Sequence, residues 1–268
     1  MLPNSPALHY QAYQAVADLT TPMRSAARFL APWLHHSLFW LPHSRALRKA
    51  AAACEVLALS GLTHHRPPFN IDTVDTPSGT CAVTEETVFR TPFCSLLRFR
   101  KTPACGTEPK VLLVAPVSGH FATLLRGTVQ TLLQDHDVYV TDWHNVRDIP
   151  LSEGAFDLDT FIEHIIRFVD WLGPDTHLVA VCQPTVPTLA AVAVMAEDQH
   201  PHQPRSMTLM AGPIDCRINP TEVNNLATAK PMEWFESKLI GVVPLRYKGG
   251  MRRVYPGFLQ ISAFMSMN

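Results

Sequence analysis

The chain has no excess of charge of either sign: 22 lysines and arginines stand against 23 aspartates and glutamates in 268 residues, a formal net charge of -1. A surface without a net field does not draw nucleic acid or an anionic bilayer from a distance, which leaves neutral partners or small substrates. Long apolar runs are missing as well. The longest, Val186 to Ala196, is about half of the ~20 residues that span a bilayer. Met1 to Thr20 lacks the basic stretch and apolar core of a secretory signal, so a cytoplasmic location is expected. The six cysteines, Cys54, Cys81, Cys94, Cys105, Cys182 and Cys216, include no C-x-x-C pair. That excludes a zinc knuckle or a disulfide framework and predicts reduced thiols, most of them buried as small hydrophobes. No metal and no cofactor is expected.

What is present is a globular composition, 47% hydrophobic, with 23 prolines and only 12 glycines and no repeat. Three stretches differ in pattern. Residues 1–79 read as a helical segment in which Phe29, Leu30, Trp33, Leu34, Leu38 and Trp40 recur near three-to-four-residue spacing. Packing of this stripe against the rest of the protein is the first expectation, docking onto a hydrophobic polymer or partner the second. The paired histidines His35/His36 and His64/His65 lack acidic or cysteine neighbours in sequence and are taken as surface residues.

Residues 80–216 begin with an alternating hairpin, Cys81 to Phe89 and Phe93 to Phe99, and continue with strand and helix in alternation. Strands are predicted at Lys110 to Ala115, Asp137 to Thr141, His177 to Val181 and Ser206 to Met210. Helices are predicted at Thr123 to Leu133, Leu158 to Leu172 and Pro184 to Ala196. Such alternation means right-handed crossovers and an α/β, mostly parallel sheet with helices on both faces. Residues 217–268 lose the alternation and read as a partial cap or lid.

In a sheet of this kind ligands bind beyond the carboxyl ends of the strands. The segment His177-Leu-Val-Ala-Val-Cys182-Gln-Pro-Thr sets a thiol between a strand and a helix. There the turn is sharp and the positive end of the helix dipole favours a thiolate. Ala180 satisfies the need for a small neighbour. Pro184 stands where glycine is usual, a position at a helix start that proline tolerates. The competing reading of Cys182 is a buried residue ending an apolar strand. Two features weigh for the nucleophile: Ser118-Gly119-His120 forms a turn after an earlier strand, where this architecture draws one oxyanion-hole amide, and the Gln183 amide is placed to be the second. Ser118 as nucleophile lacks the strand-to-helix elbow. Asp142 is expected to bond its own loop.

Val114-Ala-Pro-Val-Ser-Gly-His120, Asp137-Val-Tyr-Val-Thr-Asp-Trp143, Ala180-Val-Cys-Gln-Pro-Thr-Val-Pro187, Gly212-Pro-Ile-Asp215, Val223-Asn-Asn-Leu-Ala227 and Arg253-Val-Tyr-Pro-Gly-Phe258 resemble segments of the intracellular polyhydroxyalkanoate (poly(3-hydroxybutyrate)) depolymerases. The resemblance implies an α/β-hydrolase-like core at residues 80–216, ester hydrolysis of the stored polymer with Cys182 as nucleophile, and association with granules of that polymer. It also implies a C-terminally truncated chain, because the family's catalytic aspartate and histidine are expected beyond Asn268. Asp215 as a displaced acid, and His120 and His144 as bases, are the substitutes within the chain. Two alternatives remain: a polyhydroxyalkanoate synthase-like acyltransferase, whose elbow cysteine is flanked by glycines that Ala180 and Pro184 do not match, and a non-catalytic granule-binding protein.

Overall fold

The computed structural model describes residues 6–40, 44–61, 65–104 and 107–266. The expected Cys105 and His64 lie outside the described residues, as do the side chains of Leu38 and Trp40. In chain order the elements are α1 (Pro6–Trp40), α2 (Arg45–Leu59), β1 (Thr73–Thr76), β2 (Gly79–Arg90), β3 (Cys94–Thr102), β4 (Lys110–Val114), α3 (Arg126–Leu132) and β5 (Asp137–Trp143). They continue with α4 (Leu158–Leu172), β6 (Thr176–Val181), α5 (Thr185–Glu197), β7 (Ser206–Met210), α6 (Glu222–Ala229), α7 (Met232–Lys238), β8 (Gly241–Val242), β9 (Arg253–Val254) and α8 (Gly257–Ser266).

One sheet runs β1-β2-β3-β5-β4-β6-β7. Its β5-β4-β6-β7 half is parallel and its β1-β2-β3-β5 half antiparallel. Because successive strand residues point to opposite faces, β4 sends Leu113 into one core with Val138, Val140, Val129 and Leu133. It sends Leu112 and Val114 into another, with Leu178, Ala180, Phe161, Ile165 and Phe168. Helix α3 covers the first face, α4 and α5 the second. The α/β-hydrolase fold with helices on both faces is thus present.

Helix α4 shows how local sequence sets an element. The Asp157 side chain caps it by accepting from the Thr160 N–H at 2.9 Å, and Gly173, at φ +79°, ends it. Phe161, Ile165, Phe168, Val169 and Leu172 form its buried face. Truncating the fully buried Phe168 to alanine costs about 3–5 kcal/mol.

Two expectations for residues 1–79 need correction. The sheet starts inside this segment: Thr73–Thr76 is a strand paired antiparallel to β2, since α2 stops at Leu59, Pro67 and Pro68 disfavour a further helix, and Thr-Val-Asp-Thr suits a pleated edge. Of the aromatic stripe, the described Phe29, Leu30 and Trp33 also lie outward, and Leu34 is half-buried. Phe29 is 81% and Trp33 67% exposed. The inward face of α1 is a different one, with Ala27 and Ala31 buried on the α1 side and Ala51 and Ala58 on α2. These small side chains let the two helices approach closely. His35 is exposed, as expected, but meets Glu55 across the helix pair at 2.7 Å.

At the other end, α1 reaches the C-terminal segment. Tyr13 stacks on Phe258 with ring centroids 3.9 Å apart, and Asp18 pairs with Arg246 at 2.7 Å. The far edge of the sheet is β7, with Met210 exposed there and Val186, Leu189 and Val194 exposed on the neighbouring α5.

Candidate active site

Strand β6 ends at Val181 and α5 begins at Thr185, so Cys182 occupies the turn between them. Its φ is +67°, a left-handed backbone that costs a non-glycine residue on the order of 1–3 kcal/mol. Surrounding bonds hold it there. The Cys182 N–H donates to the Met210 carbonyl at 2.8 Å, and its own carbonyl accepts from the Thr185 N–H at 3.1 Å and the Thr185 hydroxyl at 2.8 Å. Cys182 is exposed, whereas Cys81 and Cys94 are buried. Pro184, at φ -68°, sits just ahead of the first helical residue, which its fixed geometry suits.

The small neighbour that the elbow requires is fully buried Ala180 on β6 and, unforeseen from sequence, Gly212 beyond β7. A Cβ on Gly212 would fall 1.8 Å from the Thr185 hydroxyl oxygen. No signal in the local sequence of either residue reports that contact.

The turn after β4 faces the elbow. The Val117 N–H donates to the Gln183 side-chain oxygen at 3.0 Å, and the Gly119 N–H donates to the Val117 carbonyl at 3.0 Å. Gly119 has φ +77°, and a Cβ there would meet the Gly257 carbonyl oxygen of α8 at 3.1 Å, so glycine is needed for both backbone and fit. The Nδ1 atom of His120 lies 3.0 Å from the Ser118 carbonyl. Among the described residues the amides of Ser118 and Gln183 make no hydrogen bond, while the Gly119 amide is engaged in its own turn.

The named acids and bases are placed differently. Asp215 turns to Arg217, accepting from its guanidinium at 2.8 Å and its backbone N–H at 3.0 Å, and this holds its carboxyl below the usual range. His144 donates from Nδ1 to the Pro92 carbonyl at 2.9 Å, since a carbonyl can only accept, and its Nε2 meets the Ser95 hydroxyl at 2.8 Å. Both ring nitrogens are engaged. Asp142 does not bond its own loop. It pairs with Arg66 at 2.9 Å, and Arg66 also holds Glu85. Burial pushes the Asp142 carboxyl up, with Arg66 acting against it.

Cys182, Gln183 and the 117–121 turn open onto a cavity of about 1320 Å³, larger than the roughly 300–1,000 Å³ of small-ligand sites. Trp143, Phe156, Tyr255 and Phe258 give it aromatic walls. Tyr10 of α1, Arg147 and Arg252 also line it. Arg147 follows β5 by four residues, and no local motif marks it. The contribution of α1 depends on a contact between the two ends of the chain.

The fold and the strained strand-to-helix cysteine define an α/β-hydrolase-fold core. Residues 211–268 match the family described as PHB de-polymerase C-terminus, which bears out, over that segment, the resemblance to the poly(3-hydroxybutyrate) depolymerases. No curated protein matches the sequence. Among solved structures, the chain is similar to brefeldin A esterase, a bacterial homologue of human hormone sensitive lipase, at 13% identity and a TM-score of 0.42 over 61% of this chain and 47% of that one. It is similar to an α/β hydrolase from the metagenome of Lake Arreo, Spain, at 16% identity and TM-score 0.38 over 86% and 65%. A membrane phospholipase A described as a bacterial virulence factor gives 15% identity and TM-score 0.43 over 69% and 61%. The chain spans about half the length of the esterase. Among the described residues no helix is long and apolar enough to cross a membrane.

Proposed function

We propose that the chain is the core of a polyhydroxyalkanoate depolymerase that hydrolyses ester bonds of poly(3-hydroxybutyrate) with Cys182 as nucleophile. The observation that carries this reading is the positive φ of Cys182 at the end of β6, facing a cavity of oligomer size. A turn held in that geometry presents the thiol above the sheet and at the N-terminus of α5.

In the reaction the Cys182 thiolate adds to the ester carbonyl, and the amides of Gln183 and Ser118 receive the developing oxyanion. Collapse releases the alcohol end of one chain segment as its alkoxide takes a proton, leaving an acyl thioester on Cys182. Water then cleaves the thioester, returning the thiol and a 3-hydroxyacid or short oligomer. Gly119 shapes the turn, and His120 braces it through the Ser118 carbonyl. Since both nitrogens of His144 are engaged, it is a positioning group for the 92–95 turn. Association with the polymer surface is supported by exposed Phe29 and Trp33 on α1.

The test is release of 3-hydroxybutyrate from amorphous polymer by the protein. Cys182→Ala in the active form should abolish release, while Ser118→Ala should retain most of it, because a backbone donor survives a side-chain change. Equal loss from both would move the nucleophile. Polymer binding with no hydrolysis would favour the granule-binding alternative, and CoA release from 3-hydroxybutyryl-CoA the acyltransferase.

A further inference from the structure

Two arginines in the cavity wall have charges that the fold does not neutralise in the usual way. Arg147 and Arg252 are 8% and 7% exposed, and the Nε atom of each is buried without a hydrogen-bond partner among the described residues. The terminal nitrogens of Arg252 donate only to carbonyls, of Gly154 at 2.7 Å, Pro150 at 2.8 Å and Ile149 at 3.2 Å. Arg147 lies over the Tyr247 ring at 4.4 Å and beside the Tyr10 hydroxyl. Its nearest carboxylate, Asp148 at 3.5 Å, is half exposed. The other arginines of the C-terminal segment behave differently: Arg217, Arg246 and Arg253 each hold a carboxylate within 3.1 Å.

The two groups are also tied to each other. The Gly249 N–H donates to the Arg147 carbonyl at 2.8 Å, the Arg252 N–H donates to the Gly249 carbonyl at 3.0 Å, and the Arg252 side chain grips the backbone that follows Arg147. A Cβ on Gly249 would come within 2.5 Å of the Val146 carbonyl oxygen, so this packing allows no other residue there. Two buried guanidinium groups in one cavity wall, with one half-exposed aspartate 3.5 Å from Arg147 as counter-ion and both Nε–H donors unmatched among the described residues, are costly unless a further anion completes the site.

We propose that Arg147 and Arg252 form a carboxylate subsite of the cavity, which receives the free acid end of a 3-hydroxyacyl chain whose ester bond lies at Cys182. This rests on the ester-hydrolysis reading and deepens it: the preferred substrates are chain ends and short oligomer acids. Each guanidinium keeps that one unmatched Nε–H donor, and a charged N–H donor bonds a carboxylate about twice as strongly as a neutral acceptor. The neutral interior of a polymer chain gains less.

The experiment uses the whole protein and two probes, the 3-hydroxybutyrate dimer as free acid and its methyl ester. Binding is followed by the fluorescence of Trp143 in the cavity wall, and hydrolysis is followed separately. The acid should bind roughly tenfold more tightly than the ester. Arg147→Gln should bring the two together, and Arg147→Lys should restore part of the difference by keeping the charge. The wild-type comparison requires no variant to fold. Equal affinity for acid and ester overturns the subsite even if both are hydrolysed. Selective binding of the acid without any hydrolysis supports the subsite and tells against ester hydrolysis.

Discussion

The Gln183 side-chain oxygen accepts the Val117 N–H at 3.0 Å, so the residue after the elbow cysteine holds the turn that follows β4. Gln183 therefore has two tasks: its backbone N–H is the proposed oxyanion donor, and its side chain sets the distance of the second donor at Ser118. Gln183→Ala should release the turn. Faster hydrogen exchange at Val117 and Ser118 is expected, with a drop in kcat approaching the roughly 10²-fold loss of one oxyanion donor and little change in urea midpoint. Gln183→Glu keeps an acceptor for Val117 but puts a negative charge beside the oxyanion, so kcat should fall further. Unchanged exchange at the turn in Gln183→Ala would remove the side chain from this role.

Cys182 itself holds strain that a structural cysteine has no need of. Cys182→Gly should stabilise the fold by about 1 kcal/mol, because glycine adopts φ +67° without penalty, while all hydrolysis is lost. Urea denaturation of both forms checks this. A less stable glycine variant would mean that thiol packing outweighs the backbone strain. Iodoacetamide should label Cys182 ahead of the other thiols, with Cys216 its rival by exposure, since Cys81 and Cys94 are buried.

Much of this was legible in the sequence for a physical reason. Strands of a parallel sheet are covered on both faces, so Lys110–Val114 and Thr176–Val181 stand out as short apolar runs. Helix α4 announces its ends through Asp157 and Gly173. The elbow was readable because its chemistry lies in consecutive residues. What could not be read depends on contacts distant in sequence. Periodicity shows that α1 has apolar positions but not which element covers them: Phe29 and Trp33 lie outward, and alanines form the face toward α2. Arg147 and Arg252 become neighbours only through the turn at Gly249, and Asp142 finds Arg66 rather than its own loop.

Gly212 provides a further test of the elbow. Gly212→Ala places a Cβ 1.8 Å from the Thr185 hydroxyl and 2.4 Å from its Cβ, and Thr185 is anchored to the Cys182 carbonyl. The clash has to move either β7 or the elbow. A stability loss of about 1–3 kcal/mol is expected, together with slower alkylation of Cys182. Adding Thr185→Ala removes the nearest atom and should recover part of both. A Gly212→Ala protein with wild-type stability would show that the elbow tolerates the displacement.

The pH dependence of stability should be governed in part by His164, which is buried among Phe93, Trp143, Phe156 and Phe168. Its Nδ1 donates to the Thr160 carbonyl at 2.7 Å, and its Nε2 meets the Thr91 hydroxyl at 3.0 Å. Burial lowers its pKa, nearby Arg167 adds to this, and the bond to Thr160 opposes it. The folded protein thus resists a proton that the unfolded chain accepts near the ordinary histidine value of about 6.5. For a depressed group the stabilisation is present above the unfolded pKa and is lost as pH falls through the folded one. The urea midpoint should therefore drop between pH 7.5 and 5.5. His164→Gln should be less stable at pH 7.5 by about 1–3 kcal/mol, the cost of disturbing a buried hydrogen-bonded group. Its midpoint should nevertheless fall less steeply with acid, because that position no longer titrates. Parallel pH profiles for the two proteins would assign the acid sensitivity to other groups.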